Sequence, residues 1–118
     1  MFQIYHNPYC KISRKVLEII RNTDEEVFII EYFKKVPTVK DLKTLLIKLN
    51  FNSPHEIIRQ NELIYKKKFK KKNFSNDEWF QIIIENPILI ERPIVIKDNK
   101  AIICRPPERI NELITTDK

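Results

Sequence analysis

The sequence predicts an α/β protein: a mixed sheet made by a β-α-β start and a β-β-α end, with a helical insertion between them. Three observations carry this reading. The opening residues run strand, helix, strand over about thirty positions, the size of a βαβ unit. The middle shows helical spacing behind capping-box signatures. The last third turns to β-rich runs around a two-residue turn and closes with a proline-led helix. The whole of residues 1–118 is read as one domain, with the insertion at about 38–86.

Each element has its own signal. Phe2 to His6 alternates and is rich in β-formers, and Asn7-Pro8 ends it. Cys10 to Arg21 places Ile12, Val16, Leu17, Ile19 and Ile20 at helical spacing. Val27 to Tyr32 reads as the second strand. Thr38-Val39-Lys40-Asp41 resembles a capping box and opens a helix through Leu42, Leu45, Leu46 and Leu49. Short helices are expected over Pro54–Arg59 and Glu62–Phe69. Ser75-Asn76-Asp77-Glu78 caps a further helix that ends near Asn86. Pro93 to Lys97 and Ala101 to Cys104 form a hairpin around Asp98-Asn99. Pro106-Pro107 then starts the closing helix through Ile110, Leu113 and Ile114. This order is that of a thioredoxin-like fold.

The chain contains no glycine. Backbone positions that need positive φ must therefore use another residue, and Asn is the best suited. Asn22, Asn50, Asn61, Asn86 and Asn99 all stand where elements end, and Asn99 is expected to take positive φ in its turn.

Composition narrows the class. Apolar residues make up 42% of the chain, enough for a core without covalent staples. Two distant cysteines do not form a secreted disulfide framework, so reduced intracellular thiols are expected. The start has no basic and apolar leader pattern, and no run approaches the ~18 apolar residues of a membrane span. A soluble, cytoplasmic protein is the expectation. The net charge of +6 comes from Lys66, Lys67, Lys68, Lys70, Lys71 and Lys72. A nucleic-acid binder spreads its cations or interleaves aromatic readers, so this run reads as a solvated face. His55 reads as surface. The scattered His and Cys residues make no metal site.

Cys10 carries the chemistry. It stands between a strand and the first turn of a helix, where unpaired amides and the positive dipole end stabilise a thiolate. Lys11 and Arg14 add nearby positive charge. The same amides suit an oxyanion held against the sulfur. Cys10-Lys11-Ile12-Ser13 is C-x-x-S, so no second thiol closes a local disulfide and an external thiol is needed for turnover. His6 ends the first strand and is placed to orient Asn7 or tune Cys10. Cys104 reads as a packed strand residue.

Four blocks resemble one family. His6-Asn7-Pro8-Tyr9-Cys10-Lys11-Ile12-Ser13-Arg14 resembles the signature of the glutaredoxin-coupled arsenate reductases, the ArsC family. So do Ile57-Ile58-Arg59-Gln60-Asn61, then Asn86-Pro87-Ile88-Leu89-Ile90-Glu91-Arg92-Pro93-Ile94-Val95, and Cys104-Arg105-Pro106. The chain closes soon after its last helix, which resembles the short branch of that family. The resemblance implies that Cys10 attacks arsenate and forms a covalent adduct, with Arg59, Arg92 and Arg105 around the oxyanion. Supporting positions are His6, Asn7, Ser13, Arg14 and Pro93, the last resembling the cis-proline beside the active-site cysteine. Glutathione is implied as reducing co-substrate and glutaredoxin as partner, with no bound cofactor, no metal, no membrane, no nucleic acid, and a monomeric protein. Two other expectations remain open: an ArsC-like thiol enzyme acting on another substrate, or a redox-responsive regulator that binds RNA polymerase, as in the Spx family. Spx proteins generally carry C-x-x-C, which Ser13 rules out here.

Overall fold

The four strands order themselves as β2-β1-β3-β4 in one mixed sheet, in a computed structural model that describes residues 1–114. Strand β1 (Phe2–Tyr5) pairs in parallel with β2 (Val27–Ile30), placing Phe2 beside Val27 and Tyr5 beside Ile30. On its other side β1 runs antiparallel to β3 (Ile94–Lys97), and β3 to β4 (Lys100–Ile103). The parallel pair needs a crossover, and helix α1 (Lys11–Arg21) supplies it.

The described residues divide into two compact units, Met1–Lys35 with the segment from Arg92 onward, and Val36–Glu91. In the first unit, one face of the strands meets the apolar stripe of α1. Phe2, Ile4, Val16, Leu17, Ile20, Val95, Ile102, Cys104, Ile110 and Leu113 form one buried cluster. Each fully buried aliphatic chain there contributes about 1.5–3 kcal/mol. The closing segment is a 3-10 turn, Pro107–Ile110, followed by the single turn α4 (Asn111–Ile114).

The second unit is helical. Helix α2 (Val39–Leu49) starts in the expected capping box, with Asp41 N–H donating to Thr38 Oγ1 and Thr38 N–H to Asp41 Oδ2. It buries Leu42, Leu45, Leu46 and Leu49. Helix α3 (Asn76–Glu85) starts in the Ser75–Glu78 box and buries Trp79, Phe80 and Ile83. A third box, Ser53 with Glu56, caps a 3-10 turn over Pro54–Ile57, where a longer helix was expected. The expected helix over Glu62–Phe69 is instead a π-helical turn, Tyr65–Phe69. It is anchored by Tyr65, which is buried, and by Phe69 against Phe74 and Trp79. The six lysines of the run are all exposed. His55 is not plain surface: its Nε2 lies 2.9 Å from Tyr65 Oη, and its ring lies 4.9 Å from that of Trp79.

The glycine-free turns resolve differently from expectation. Asn50 does take the left-handed conformation (φ 63°) and ends α2, with Phe51 N–H closing onto Leu46 O. In the hairpin, however, Asp98 and not Asn99 carries positive φ (56°). Lys97 and Lys100 pair directly, so the turn has only two central residues, and its first one takes the strained conformation. Asp tolerates this for the same reason as Asn, a short polar side chain able to bond locally. Asn22 and Asn86 end their helices with negative φ.

Candidate active site

The loop before α1 is fixed by its own side chains. His6 N–H donates to Ile30 O, which continues the β1–β2 pairing by one residue. Asn7 Oδ1 then accepts from Tyr9 N–H at 2.9 Å, and Asn7 O accepts from Cys10 N–H at 3.0 Å. This Asx-turn delivers Cys10 to the N-cap of α1 with extended backbone (φ −94°, ψ 121°). Cys10 O accepts the first helical bond, from Arg14 N–H.

Cys10 is partly exposed, and Arg105 Nη1 lies 3.7 Å from its sulfur. Partial burial pushes the thiol up. The amides of Ser13 and Ile12 and the Arg105 guanidinium outweigh burial, and the thiol ends below its ordinary value. The cation that acts on the sulfur thus comes from the far end of the chain. The charge expected from Arg14 is spent elsewhere: its Nη1 donates to Pro8 O at 2.9 Å and helps hold the loop. Lys11 is solvent-exposed.

Behind the loop lies a buried polar cluster. Ser13 Oγ accepts from Asn7 N–H at 3.1 Å and lies 2.6 Å from His6 Nδ1. Ser13 is fully buried, and His6 and Asn7 nearly so. Burial lowers the His6 value; Glu31 opposes this, and Arg21 and Arg14 add to it. A neutral imidazole with its proton on Nε2 accepts the Ser13 hydroxyl at Nδ1, which satisfies both groups. The His6, Asn7 and Ser13 side chains therefore act on the shape of the loop, while of these three residues only the Ser13 backbone amide acts on the sulfur itself.

Arg92 is buried, and its carbonyl accepts from Arg105 Nη1 at 2.8 Å. The same Nη1 faces the Cys10 sulfur, so the Arg92 backbone fixes the guanidinium that serves the thiol. The Arg92–Pro93 peptide is cis. Cys104 N–H donates to Pro93 O at 2.9 Å, which ties the two strand ends together. The Cys104 thiol is fully buried and pushed up to about 12 by desolvation. The first unit thus brings together Cys10, His6, Asn7, Ser13, Arg14, Arg92, Pro93 and Arg105. Arg59 belongs to the second unit, where Nε donates to Glu62 Oε2 at 3.0 Å and Nη1 lies 3.9 Å from Glu91 Oε1. Sequence reasoning did not single out these two carboxylates. The Arg59-x-x-Glu62 spacing was the available signal. Among the described residues no group of three His, Cys, Asp or Glu gathers to hold a metal ion, and no helix is long and apolar enough to cross a membrane.

A model of the ArsC family matches residues 5–113. The chain belongs to the ArsC family. It is 37% identical over 112 residues to an arsenate reductase of Haemophilus influenzae, covering 94% of this chain and 97% of that one. It is 36% identical over 113 residues to the uncharacterized protein YfgD of Escherichia coli, with 95% of each covered. The solved structure of an arsenate reductase from Vibrio cholerae matches with a TM-score of 0.88 at 37% identity, over 94% of this chain and 95% of that one. The thioredoxin-like α/β architecture read from the sequence is therefore the fold of this ArsC protein.

Proposed function

We propose that this ArsC protein reduces arsenate to arsenite, with Cys10 as nucleophile. The observation that carries the reading is Cys10 itself: a partly exposed residue at a helix start, with Arg105 Nη1 at 3.7 Å from its sulfur and a thiol held below its ordinary value. The names of the relatives supply the substrate.

The thiolate attacks arsenic, and one arsenate oxygen leaves as water after protonation. The product is a sulfur–arsenic(V) adduct. Arginine suits the oxyanion because its planar fork gives directional, charge-assisted bonds and never loses its charge. Arg59, Arg92 and Arg105 fill that role in this reading, and they stabilise the charge that develops on the oxygens during attack. A glutathione thiolate then attacks the Cys10 sulfur. The sulfur–arsenic electron pair stays on arsenic, which leaves as arsenite, and Cys10 is left in a mixed disulfide with glutathione. A glutaredoxin thiolate takes over the glutathionyl group and returns Cys10 as thiolate. Two thiols are oxidised to one disulfide, matching the two electrons gained by arsenic. An external thiol is required because position 13 is Ser and Cys104 is fully buried. Free thiols fit a cytoplasmic setting.

The test is arsenate-dependent NADPH consumption coupled through glutathione and glutaredoxin. Cys10→Ser is expected to abolish it and Cys104→Ser to leave most of it. Wild-type activity in Cys10→Ser would remove the nucleophile assignment.

A further inference from the structure

We propose that Tyr9 and Lys11 form a docking edge for the external thiol that becomes joined to Cys10, with Lys11 pairing a carboxylate of that thiol and the Tyr9 ring packing against its apolar part. The inference deepens the reading above and rests on it in one respect, that Cys10 is returned to its thiolate by an external thiol.

The need arises from what the chain lacks. Position 13 is a fully buried serine, and Cys104 is fully buried with its thiol pushed up to about 12. The incoming sulfur therefore arrives from solvent. Displacement at Cys10 runs in line with the bond that breaks, so the arriving group must be aligned as well as near. Arg105 is committed elsewhere: its Nη1 bonds the Arg92 carbonyl at 2.8 Å and lies 3.7 Å from the sulfur, on the side given to the oxyanion.

The side chains around Cys10 divide into those already engaged and those still free. Asn7 Oδ1 holds the loop, and His6 and Ser13 bond each other behind it. Arg14 is tied to Pro8 O at 2.9 Å. Tyr9 and Lys11, the two residues that adjoin Cys10, are both exposed. Tyr9 is 90% exposed, and among the described residues its ring stacks on no other ring and Lys11 meets no carboxylate.

Their backbones are nevertheless fixed. Tyr9 N–H donates to Asn7 Oδ1 at 2.9 Å, Cys10 N–H to Asn7 O at 3.0 Å, and Lys11 is the first residue of α1. A single exposed aromatic is ordinary on a protein surface. Here the ring adjoins a reactive sulfur, and an ammonium adjoins it on the other side. A tyrosine ring lends contact area at low entropic cost, since it has only two side-chain torsions. An ammonium is a point charge on a flexible stem, which meets a carboxylate without demanding one geometry. The surrounding sequence favours the same class of ligand. No acidic residue occurs before Glu18, while Lys11, Arg14 and Lys15 follow the cysteine. A small peptide thiol with free carboxylates fits both the ring and the charge.

A competing effect sets the form of the test. Lys11 could act on the sulfur itself and so change its reactivity towards every reagent alike. A docking edge instead discriminates between reagents. The experiment therefore follows mixed-disulfide formation on Cys10 of the native chain by mass spectrometry. Oxidised glutathione, bis(2-hydroxyethyl) disulfide and cystamine serve as anionic, neutral and cationic probes. In each case the Cys10 thiolate attacks one sulfur of the probe. The electron pair of the broken sulfur–sulfur bond leaves with the other half as its thiolate, and Cys10 keeps the first half. Dividing each rate by that of the neutral probe removes any change in the reactivity of the sulfur.

The variants are Lys11→Gln, Lys11→Glu, Tyr9→Ala and Tyr9→Phe, each checked for an unchanged melting transition. For oxidised glutathione the ratio is expected to fall about threefold in Lys11→Gln, the scale of one exposed ion pair. It should fall about tenfold in Lys11→Glu, where the cystamine ratio rises. Added salt should lower the wild-type ratio more than that of Lys11→Gln. Tyr9→Ala should lower it about threefold, and Tyr9→Phe should keep it. A glutathione ratio unmoved in Lys11→Glu, or unmoved in Tyr9→Ala, overturns the docking edge and leaves the arsenate reading standing. The assay holds no arsenate. An arsenate-active Cys10→Ser protein would sink the arsenate reading, while these ratios still decide the docking edge.

Discussion

Cys10 and Cys104 are one side chain set in two kinds of surroundings. Cys10 sits where a loop becomes a helix, half-exposed, and faces amides that have no partners in their own helix. Cys104 follows β4, sealed among Phe2, Ile4, Val16 and their neighbours. Burial pushes both thiols up. At Cys10 the amides of Ser13 and Ile12 and the Arg105 guanidinium overturn that push. At Cys104 nothing of comparable strength opposes it: Arg109 lowers the value, Glu112 raises it, and the thiol stands at about 12. Arg105 makes the lesson sharper. It is the next residue after Cys104, yet its guanidinium serves Cys10, steered there by the Arg92 carbonyl. Reactivity here is set by what the fold places against the sulfur, not by what adjoins it in sequence.

The most direct way to break this contrast is to alkylate both thiols in the native protein. A thiol at about 12 exposes over three orders of magnitude less thiolate at neutral pH than an ordinary one. Cys10 lies on the other side of ordinary. At pH 7, iodoacetamide should therefore label Cys10 at least about 1,000-fold faster than Cys104, read by peptide mass spectrometry. Rates within tenfold of each other would remove the contrast.

Stability against pH offers the next test, with opposite signs at the two sites. The folded state holds the Cys104 proton more tightly than the unfolded chain. Its contribution is therefore intact below the ordinary thiol range and is lost as pH rises from about 9 towards 12. That gap corresponds to at most about 4 kcal/mol. Cys10 is depressed, so it contributes stability above the ordinary thiol range that is lost as pH falls through its folded value. Urea unfolding across pH 8–11 should show a shallower alkaline decline in Cys104→Ala than in wild type. The variant should also lose about 1 kcal/mol at neutral pH, from the small cavity. Parallel declines would mean that the Cys104 site is open to water.

Much of this contrast was legible in the sequence, and what was not legible has a physical reason. Helical spacing and an Asn-Pro break placed Cys10 at a helix start, because capping and periodicity are local properties. The packed reading of Cys104 followed from its strand context in the same way. The cation at Cys10 is a different matter. Lys11 and Arg14 are near in sequence, but Lys11 is exposed, Arg14 bonds the Pro8 carbonyl, and the guanidinium that lowers the thiol is that of Arg105. Arg105 came into view only through family resemblance, since a contact between residues 10 and 105 depends on the sheet order. The turn at Asp98-Asn99 was foreseen, but not which residue would bear positive φ. Both types tolerate it, so propensity could not choose between them.

A smaller effect is expected from removing the distant cation. Arg105→Gln keeps a donor near the Arg92 carbonyl but removes the charge beside the sulfur. The thiol should move up towards its ordinary value, and labelling of Cys10 at pH 7 should slow several-fold while the amides of Ser13 and Ile12 still act. The measurement is the pH profile of alkylation. An unchanged profile would assign the whole depression to the helix start.

The smallest effect on the sulfur is expected from Ser13→Ala, and it separates groups that act on Cys10 from groups that hold its loop. The Ser13 hydroxyl satisfies two buried partners, Asn7 N–H and His6 Nδ1. Deleting it strands both, at a cost of about 1–3 kcal/mol in folding stability. The Ser13 contribution to the thiol comes from its backbone amide, which alanine keeps. Unfolding should therefore shift clearly while Cys10 labelling changes by less than about twofold. The His6 environment gives a further sign. Burial lowers its value, so the folded protein resists protonating it and stability falls as pH drops below about 6.5. A Ser13→Ala protein whose Cys10 reacts as slowly as in Arg105→Gln would show that the loop, and not the charge, sets the thiol.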